Sequence, residues 1–382
     1  MLRALAVTVP GIEDFLAEEL RELYRINSKT ILPGKLEFTA SPETLLALNY
    51  RSRIAHRFLI LLVSWESPEL TLKELYQVSS QVPWSDYFDP TSTFAVRVDR
   101  YGEHDFTSVE AAATIGKAVV DHFSAHGNRI KANLREPDVT IRGYISGNLF
   151  LLGIDTTGKS LHMRGYRRFM HRAPLNPCLA SALVRATGWL EAFEDHNFVD
   201  PMCGGGTIAI EAALAAKNFP PGFWRRRYPV EHIKQFSGIS QEELFKSIDE
   251  QVREVNPEVY CMDISPKYLI GAITNSISAG VKLKFSVADA AELGIRLKRI
   301  GAVSMNPPYE LRLGPSRRLG KTFKEMMKHL SEKLELRMSV VVGGPAIKKF
   351  IDAASAMNIL IVRRIMMGGI EARLLVLSRR GK

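Results

Sequence analysis

Phe198-Val-Asp-Pro-Met-Cys-Gly-Gly-Gly-Thr207 decides the fold. An apolar run ends in Asp200, breaks into three glycines, and passes into a helical stretch, Ile208–Ala216, with Ile210, Ala213 and Leu214 on one face. Strand, glycine turn and helix in that order hold nucleotide-like cofactors in doubly wound α/β sheets. Glycine lets the backbone approach a ligand that lies beyond the carboxyl end of the strand. Alone, the loop is compatible with a phosphate cradle, a dinucleotide loop, or the methionine-end loop of an S-adenosylmethionine site. A Walker loop would end in Gly-Lys-Ser/Thr, and here the glycines run into Thr207-Ile208. The dinucleotide fingerprint fits only with Ala209 in the last glycine's place, and no acidic strand end follows about twenty residues on.

About a hundred residues further along, the strand-like Ile300–Met305 runs into Asn306-Pro-Pro-Tyr309. An exocyclic amine is a poor nucleophile because its lone pair is delocalised into the ring. A protein that accepts both amine protons, on the Asn306 side-chain oxygen and the Pro307 carbonyl, turns that lone pair toward an electrophilic methyl by placement and electrostatics. Two prolines stiffen the turn, and Tyr309 would stack on a base drawn out of its helix. A Pro-Pro turn after a strand is common by itself. Its place behind a Gly-rich strand gives it weight.

A chain of 382 residues exceeds one ordinary core, so two or three domains are expected. Hydrophobic content of 46% and charged content of 24% are those of a soluble globular protein. No apolar run has the length of a membrane span, and Met1–Pro10 is too short and strand-like for a signal peptide. Cys178, Cys203 and Cys261 lie far apart with no Cys-x-x-Cys spacing. The expectation is therefore no disulfide framework, no zinc site and a reducing cytoplasm, with Cys203 as small-residue packing and the other two as core. The nine histidines show no metal spacing. A net charge of +10 and a pI near 9.4 favour a polyanionic partner.

Residues 3–9 read as a strand, Gly11–Tyr24 as an amphipathic helix, Lys35–Thr39 as a strand, Pro42–Asn49 as a helix and Phe58–Ser64 as a strand. That order suits a ferredoxin-like α+β domain over 1–65. A second α+β domain spans 66–157: a helix from Leu72, strand Thr93–Asp99, a long helix to about His126, and strands Asp138–Ile145 and Leu149–Asp155 around a Ser146-Gly-Asn148 turn. Within it, Val96–Ser108, Ile115-Gly-Lys117 and Pro137-Asp138 resemble a THUMP domain, an RNA-binding module of tRNA-modifying enzymes. Residues 158–176 form a linker carrying Lys159, Arg164, Arg167, Arg168 and Arg172 with no acid, a composition that predicts phosphate contacts. From 177 to 382, helices and strands alternate toward a doubly wound sheet of about seven strands. An insertion at about 218–256 carries a helix, Gln241–Val255, and the basic–aromatic patch Phe223–Tyr228, whose Arg225 and Arg226 are candidates to grip RNA; a membrane or partner face and an ordinary surface insertion are the alternatives.

The THUMP-like domain, Leu161-His-Met-Arg-Gly-Tyr-Arg167 with Ala173-Pro-Leu175, Asp200–Thr207 and Asn306–Tyr309 come in the order of one family. Over nearly the whole chain the set resembles the THUMP-containing guanine-N2 RNA methyltransferases. Within them it is most similar to the archaeal and bacterial enzymes that make N2-methylguanosine at tRNA position 6, in the acceptor stem. The resemblance implies a C-terminal Rossmann-like class I methyltransferase domain, S-adenosylmethionine as cofactor and no metal. It implies tRNA as partner, its 3′ end on the THUMP domain, and a cytoplasmic monomer. Asp200, with Pro201, Cys203, Gly204, Gly206 and Thr207, would hold the methionine part of the cofactor. Asp263 would take the ribose hydroxyls beside Ile264, and Asp289 with Ala290 the adenine. Asn306, Pro307 and Tyr309 would carry the target amine, with Asn306 also lining the cofactor. Acids at strand ends can instead cap the helices that follow.

Neighbouring families methylate guanine-10 of tRNA, usually with Asp-Pro-Pro-Tyr, or a guanine of large-subunit rRNA in longer chains with a second catalytic domain. Glu310 departs from the family pattern, which usually has glycine there, and bears on the loop beyond the target base. Weaker readings are an inactive RNA-binding protein, a thiolation enzyme, whose Ser-Gly-Gly-x-Asp-Ser loop this chain lacks, and a DNA adenine-N6 methyltransferase, which shares the Asn-Pro-Pro-Tyr turn.

Overall fold

The computed structural model describes residues 1–172, 174–308, 317–367 and 369–381, without the Arg317 side chain. The chain divides into two units. One is Met1–Thr8, Ala17–Leu161 and Arg225–Ser247; the other is Val9–Leu16, His162–Trp224 and Ile248–Lys382.

Along the first 66 residues β1 (Leu2–Val7), α1 (Glu13–Tyr24), β2 (Ser28–Leu32), β3 (Lys35–Ala40), α2 (Pro42–Arg51) and β4 (Arg57–Glu66) follow the ferredoxin-like order. The expected alternation lacked β2. Ser28-Lys-Thr-Ile-Leu has no period-two apolar pattern, and it pairs with β3 through a register shift between Thr30 and Leu32. Next come α3 (Leu72–Ser80), β5 (Thr93–Tyr101), α4 (Ser108–Ala125), β6 (Lys131–Ala132), β7 (Val139–Ser146) and β8 (Leu149–Asp155). Capping boxes start α3 and α4, Thr71 with Glu74 and Thr107 with Glu110.

One sheet runs through both halves of this unit, in the order β2-β3-β1-β4-β8-β7-β5-β6. Its seam is the antiparallel pair β4–β8, which begins at Leu59↔Asp155. Gly153 permits the approach, since a Cβ there would lie 2.4 Å from the Ile60 carbonyl oxygen. Asp155 closes β8 buried, paired with Arg57 and, at 2.9 Å, with Arg142 Nε. Arg225–Ser247, expected as part of an insertion in the C-terminal domain, groups with this unit. The Tyr228 hydroxyl donates to the Asn49 carbonyl at 2.8 Å, and the Phe245 ring stacks on Tyr50 at 4.1 Å.

The second unit begins its αβ alternation with α5 (Pro177–Ala186), β9 (Phe198–Asp200) and α6 (Thr207–Ala216). The helix α7 (Gln241–Asp249), whose residues through Ser247 group with the first unit, stops before the expected Val255. Then follow β10 (Val259–Asp263), α8 (Pro266–Ala279), β11 (Lys284–Val287), α9 (Leu293–Arg296) and β12 (Ala302–Met305). The chain ends with α10 (Arg317–Lys333), β13 (Arg337–Gly343), α11 (Ala346–Ala353), β14 (Met357–Met367) and β15 (Ile370–Arg379). After α5 the chain turns at Gly188, whose φ is +68°, and makes one further helical turn over Trp189–Glu191. The sheet has the expected seven strands, ordered β11-β10-β9-β12-β13-β15-β14, with β15 antiparallel to both neighbours. Phe323, Met326, Met327 and Leu330 of α10 are buried in one cluster with Val303 and Met305 of β12 and Val340 of β13. The strand order reverses between β9 and β12, which opens a crevice at their carboxyl ends. Among the described residues no helix is long and apolar enough to cross a membrane.

Removing the Asp155 carboxylate leaves two guanidinium groups facing each other with side-chain exposures of only 11% and 18%. Asp155→Ala should therefore cost about 3 kcal/mol of stability, read as a lower urea midpoint at unchanged slope. An unchanged midpoint would show that the cluster contributes nothing.

Candidate active site

Four neighbouring parallel strands, β11, β10, β9 and β12, deliver the candidate residues to one row of carboxyl ends. Asp200 closes β9, and Pro201–Gly206 turn into α6. The Cys203 amide donates to the Met262 carbonyl at 2.9 Å, and the Gly206 amide to the Cys203 carbonyl at 2.7 Å. Gly204 and Gly206 have φ of +51° and +80°, backbone that glycine adopts without strain. A Cβ on Gly206 would lie 3.0 Å from Ala272 Cβ, so this glycine also lets α6 close on α8.

Asp263 closes β10 and holds the loop. Its Oδ2 accepts from the Gly204 amide at 2.9 Å and its Oδ1 from the Ser265 amide at 2.8 Å. Each oxygen keeps a further lone pair for a ligand hydroxyl. Ile264 beside it is 53% exposed. Asp289, beyond β11, caps the following turn: its Oδ1 accepts from the Ala291 amide at 3.0 Å and the Thr322 hydroxyl at 3.3 Å, while Oδ2 faces Arg318 at 3.4 Å. Ala290 is buried. Beyond β12, Asn306 is half-buried and Pro307 buried. The pairing Val199↔Val303 sets the ends of β9 and β12 side by side, so Asp200-Pro201 and Asn306-Pro307 leave adjacent strands. Tyr309, Glu310 and Ala173 lie outside the described residues.

Asp200 is the electrostatic centre. Burial pushes its carboxyl well above the usual carboxylate range and the nearby Asp263 adds to the rise, against a single amide donor, Met202, at 3.3 Å. A buried acid with one long hydrogen bond, next to a glycine cradle, suits a ligand that brings its own cation, such as an ammonium group.

The linker differs from its expected role as a set of phosphate contacts. Arg164 is buried, 5% exposed, and its guanidinium binds the equally buried Glu211 of α6, Nε to Oε1 at 3.0 Å. Tyr166 and Ser181 complete that carboxylate, each hydroxyl donating at 2.9 Å. Arg167 donates to the Thr207 hydroxyl at 2.9 Å and to the Leu175 carbonyl. Asn275 of α8 pins strap and loop together: its Oδ1 accepts from the Arg168 and Phe169 amides at 2.9 and 2.8 Å, and its Nδ2 donates to the Phe169 and Gly205 carbonyls at 3.0 and 2.9 Å. The His171 ring lies edge-on to Tyr268, 4.2 Å between centroids, and 3.5 Å from where a Gly204 Cβ would be. Residues 164–172 are thus a strap across the glycine loop. Glu211 carried a signal, being the one acid in an apolar helix; Asn275 carried none. Arg168 and Arg172 are exposed. In the first unit Lys159 and Arg226 are exposed, whereas Arg225 is half-buried and donates to the carbonyls of Thr157, Lys159 and Ser160.

The pairing of two cysteines also departs from expectation, while Cys178 is core as expected. Cys203 is bonded to Cys261 with a Cα–Cα separation of 5.6 Å, and Cys178 is free and buried. Pairing of the loop with β10 at Met262 brings together two residues 58 apart in sequence, which spacing alone hides. The pair also removes the cysteine argument for a reducing compartment.

The RMKL-like methyltransferase domain family matches residues 164–372, the THUMP domain family 69–155 and the RlmL ferredoxin-like domain family 3–59. The chain is 33% identical over 379 residues to the tRNA (guanine(6)-N2)-methyltransferase of Methanocaldococcus jannaschii, a match spanning 97% of this chain and 98% of that one. It is 32% identical over 324 residues to the ribosomal RNA large subunit methyltransferase K/L of Vibrio parahaemolyticus, spanning 82% of this chain but 45% of that one. In fold it resembles the crystal structure of a possible methylase from Clostridium difficile, with a TM-score of 0.85 over 100% of this chain and 99% of that one at 22% identity.

Two expectations follow from this geometry. The folded chain keeps a proton on Asp200 that the unfolded chain releases above about pH 3.9, so stability on this account falls as pH rises past that value. Asp200→Asn removes the dependence: its thermal midpoint should match the parent's near pH 4 and exceed it by pH 8. An equal gap at both pH values would refute the assignment. Asn275→Ala severs three hydrogen bonds to the strap and one to the loop. It should cost about 2–4 kcal/mol, with faster amide exchange in the 203–206 loop than in β13; uniform acceleration would mean that Asn275 acts only globally.

Proposed function

The chain belongs to the RMKL-like methyltransferase family, and from that membership and its crevice we propose that it methylates the exocyclic N2 of guanosine in tRNA, at position 6 of the acceptor stem. The observation that carries this reading is the meeting of the Asp200–Gly206 loop with Asn306-Pro307 at adjacent strand ends. The donor is S-adenosylmethionine, which supplies an electrophilic methyl group on a sulfonium. In this reading Asp200 takes its ammonium, Gly204 and Gly206 let the backbone close on the methionine part, and Asp263 accepts from the ribose hydroxyls. Ile264 and Ala290 flank the adenine, and Asp289 accepts from its amine while capping its own turn.

Asn306 and Pro307 act on the other reactant. The side-chain oxygen and the carbonyl accept the two N2 protons, which frees the nitrogen lone pair for in-line attack on the methyl carbon. As the new nitrogen–carbon bond forms, the methyl–sulfur bond breaks and N2 becomes cationic. It then loses a proton to water, so no residue need act as a strong base. Tyr309 is assigned to stacking on the extruded guanine.

The tRNA reading is favoured by the extent of this chain that aligns, 97% with the tRNA enzyme at 33% identity against 82% with the K/L enzyme at 32%. The THUMP match at 69–155 supports an RNA partner, and in this reading that domain takes the 3′ end of tRNA in the cytoplasm.

The test is methyl transfer from labelled S-adenosylmethionine to unmodified tRNA transcripts, with nucleoside analysis and site mapping. N2-methylguanosine at position 6 is expected, and Asn306→Ala should lower kcat by about 10²–10³ while cofactor binding persists. Product at guanine-10, or only on ribosomal RNA, would keep the chemistry and overturn the substrate. No product on any RNA, with cofactor bound, would leave an RNA-binding protein.

A further inference from the structure

With Arg164 buried and Arg167 spent on Thr207 and Leu175, two of the linker's arginines are withdrawn from phosphate binding. In the same unit the exposed face of α10 carries Lys321, Lys324 and Lys328 at i, i+3 and i+7, one stripe of a helix. The opposite face, Phe323, Met326, Met327 and Leu330, is core. The three lysines span about 10 Å of helix axis. Their stripe begins one turn from the crevice, because Arg318 and Thr322 of the same helix both reach Asp289. It widens toward α11, where a Cβ on Gly320 would lie 3.9 Å from Lys349 Cδ.

Two features set this face apart from an ordinary solvated one. Glu325 and Glu332 share this exposed face, yet among the described residues none of the three lysines is in an ion pair. The first turn of α10 holds no acid of its own, the reverse of what the helix dipole favours, and its Arg318 is met by Asp289 at the crevice.

We infer that this face of α10 docks the phosphate backbone of the RNA substrate beside the target guanine; the inference rests on the RNA methyltransferase reading. Lysine suits the task, as a point charge on a flexible stem that neutralises phosphate without reading sequence.

The full-length protein is tested as Lys321→Gln/Lys324→Gln/Lys328→Gln and as the corresponding triple Glu variant. Three quantities are read: S-adenosylhomocysteine affinity, affinity for a tRNA transcript between 50 and about 200 mM salt, and single-turnover methyl transfer at saturating tRNA. Expected are unchanged S-adenosylhomocysteine affinity, tRNA affinity weakened about tenfold in the Gln variant and further in the Glu variant, and a salt slope shallower by about 2–3, with methyl transfer within twofold of the parent. Unchanged tRNA affinity and slope in both variants, with the parent binding tRNA, would overturn the docking face and leave the methyltransferase reading intact. A parent that binds no RNA would overturn both. Matching S-adenosylhomocysteine affinity excludes misfolding as the cause of lost tRNA binding.

Discussion

The pair Arg164–Glu211 is the fixed point of the catalytic unit. Glu211 sits on α6, the helix that starts at the end of the glycine loop, and both partners are buried. A lone buried carboxylate costs several kcal/mol, so α6 depends on a cation arriving from 47 residues upstream. Once Arg164 is seated, the strap behind it has little freedom. Arg167 meets Thr207 at the first turn of α6, and Asn275 catches the next two strap amides and the Gly205 carbonyl. The glycine loop is thereby held from below by an ion pair and from the side by an amide.

The acids at the strand ends cap and still keep acceptor capacity to spare. Capping and ligand binding looked like rival explanations for Asp263 and Asp289, yet a carboxylate has two oxygens and about four lone-pair directions. Asp263 uses one direction on each oxygen to order the Gly204 and Ser265 amides. Those bonds orient the remaining lone pairs, so the cap is the means by which the acceptor is aimed. Asp200 is the exception. With a single long amide contact, its carboxyl is pushed by burial well above the usual carboxylate range, and a ligand cation would favour its ionised form.

What was legible in the sequence was what is local. The strand–glycine–helix order, the seven strands and both ferredoxin-like helices follow from short-range pattern. Strand β2 escaped because it is a half-exposed hairpin arm without alternation. Residues 225–247 were placed by chain position, whereas their packing partner, Tyr50, is nearly two hundred residues upstream. Cys203 and Cys261 were separated by a spacing that the parallel sheet folds away. The linker shows the same limit most sharply: a run of arginines has one composition whether its partner is a phosphate or a buried glutamate, and only the fold distinguishes them.

That division has a chemical logic. The guanidinium group is planar, always charged and weakly hydrated, so it can be buried and hydrogen-bonded from several sides at once. The arginines at positions 57, 142, 164, 167 and 225 are used that way, against carboxylates, a hydroxyl and main-chain carbonyls. Even Arg363 is committed, to Asp14. The ammonium of lysine is strongly hydrated and is seldom worth burying, so Lys321, Lys324 and Lys328 remain at the surface. A net charge of +10 therefore overstates what a polyanion meets on this protein. Much of the arginine charge is already matched inside the fold, and the part left for RNA lies where the side chain keeps its water until a phosphate displaces it.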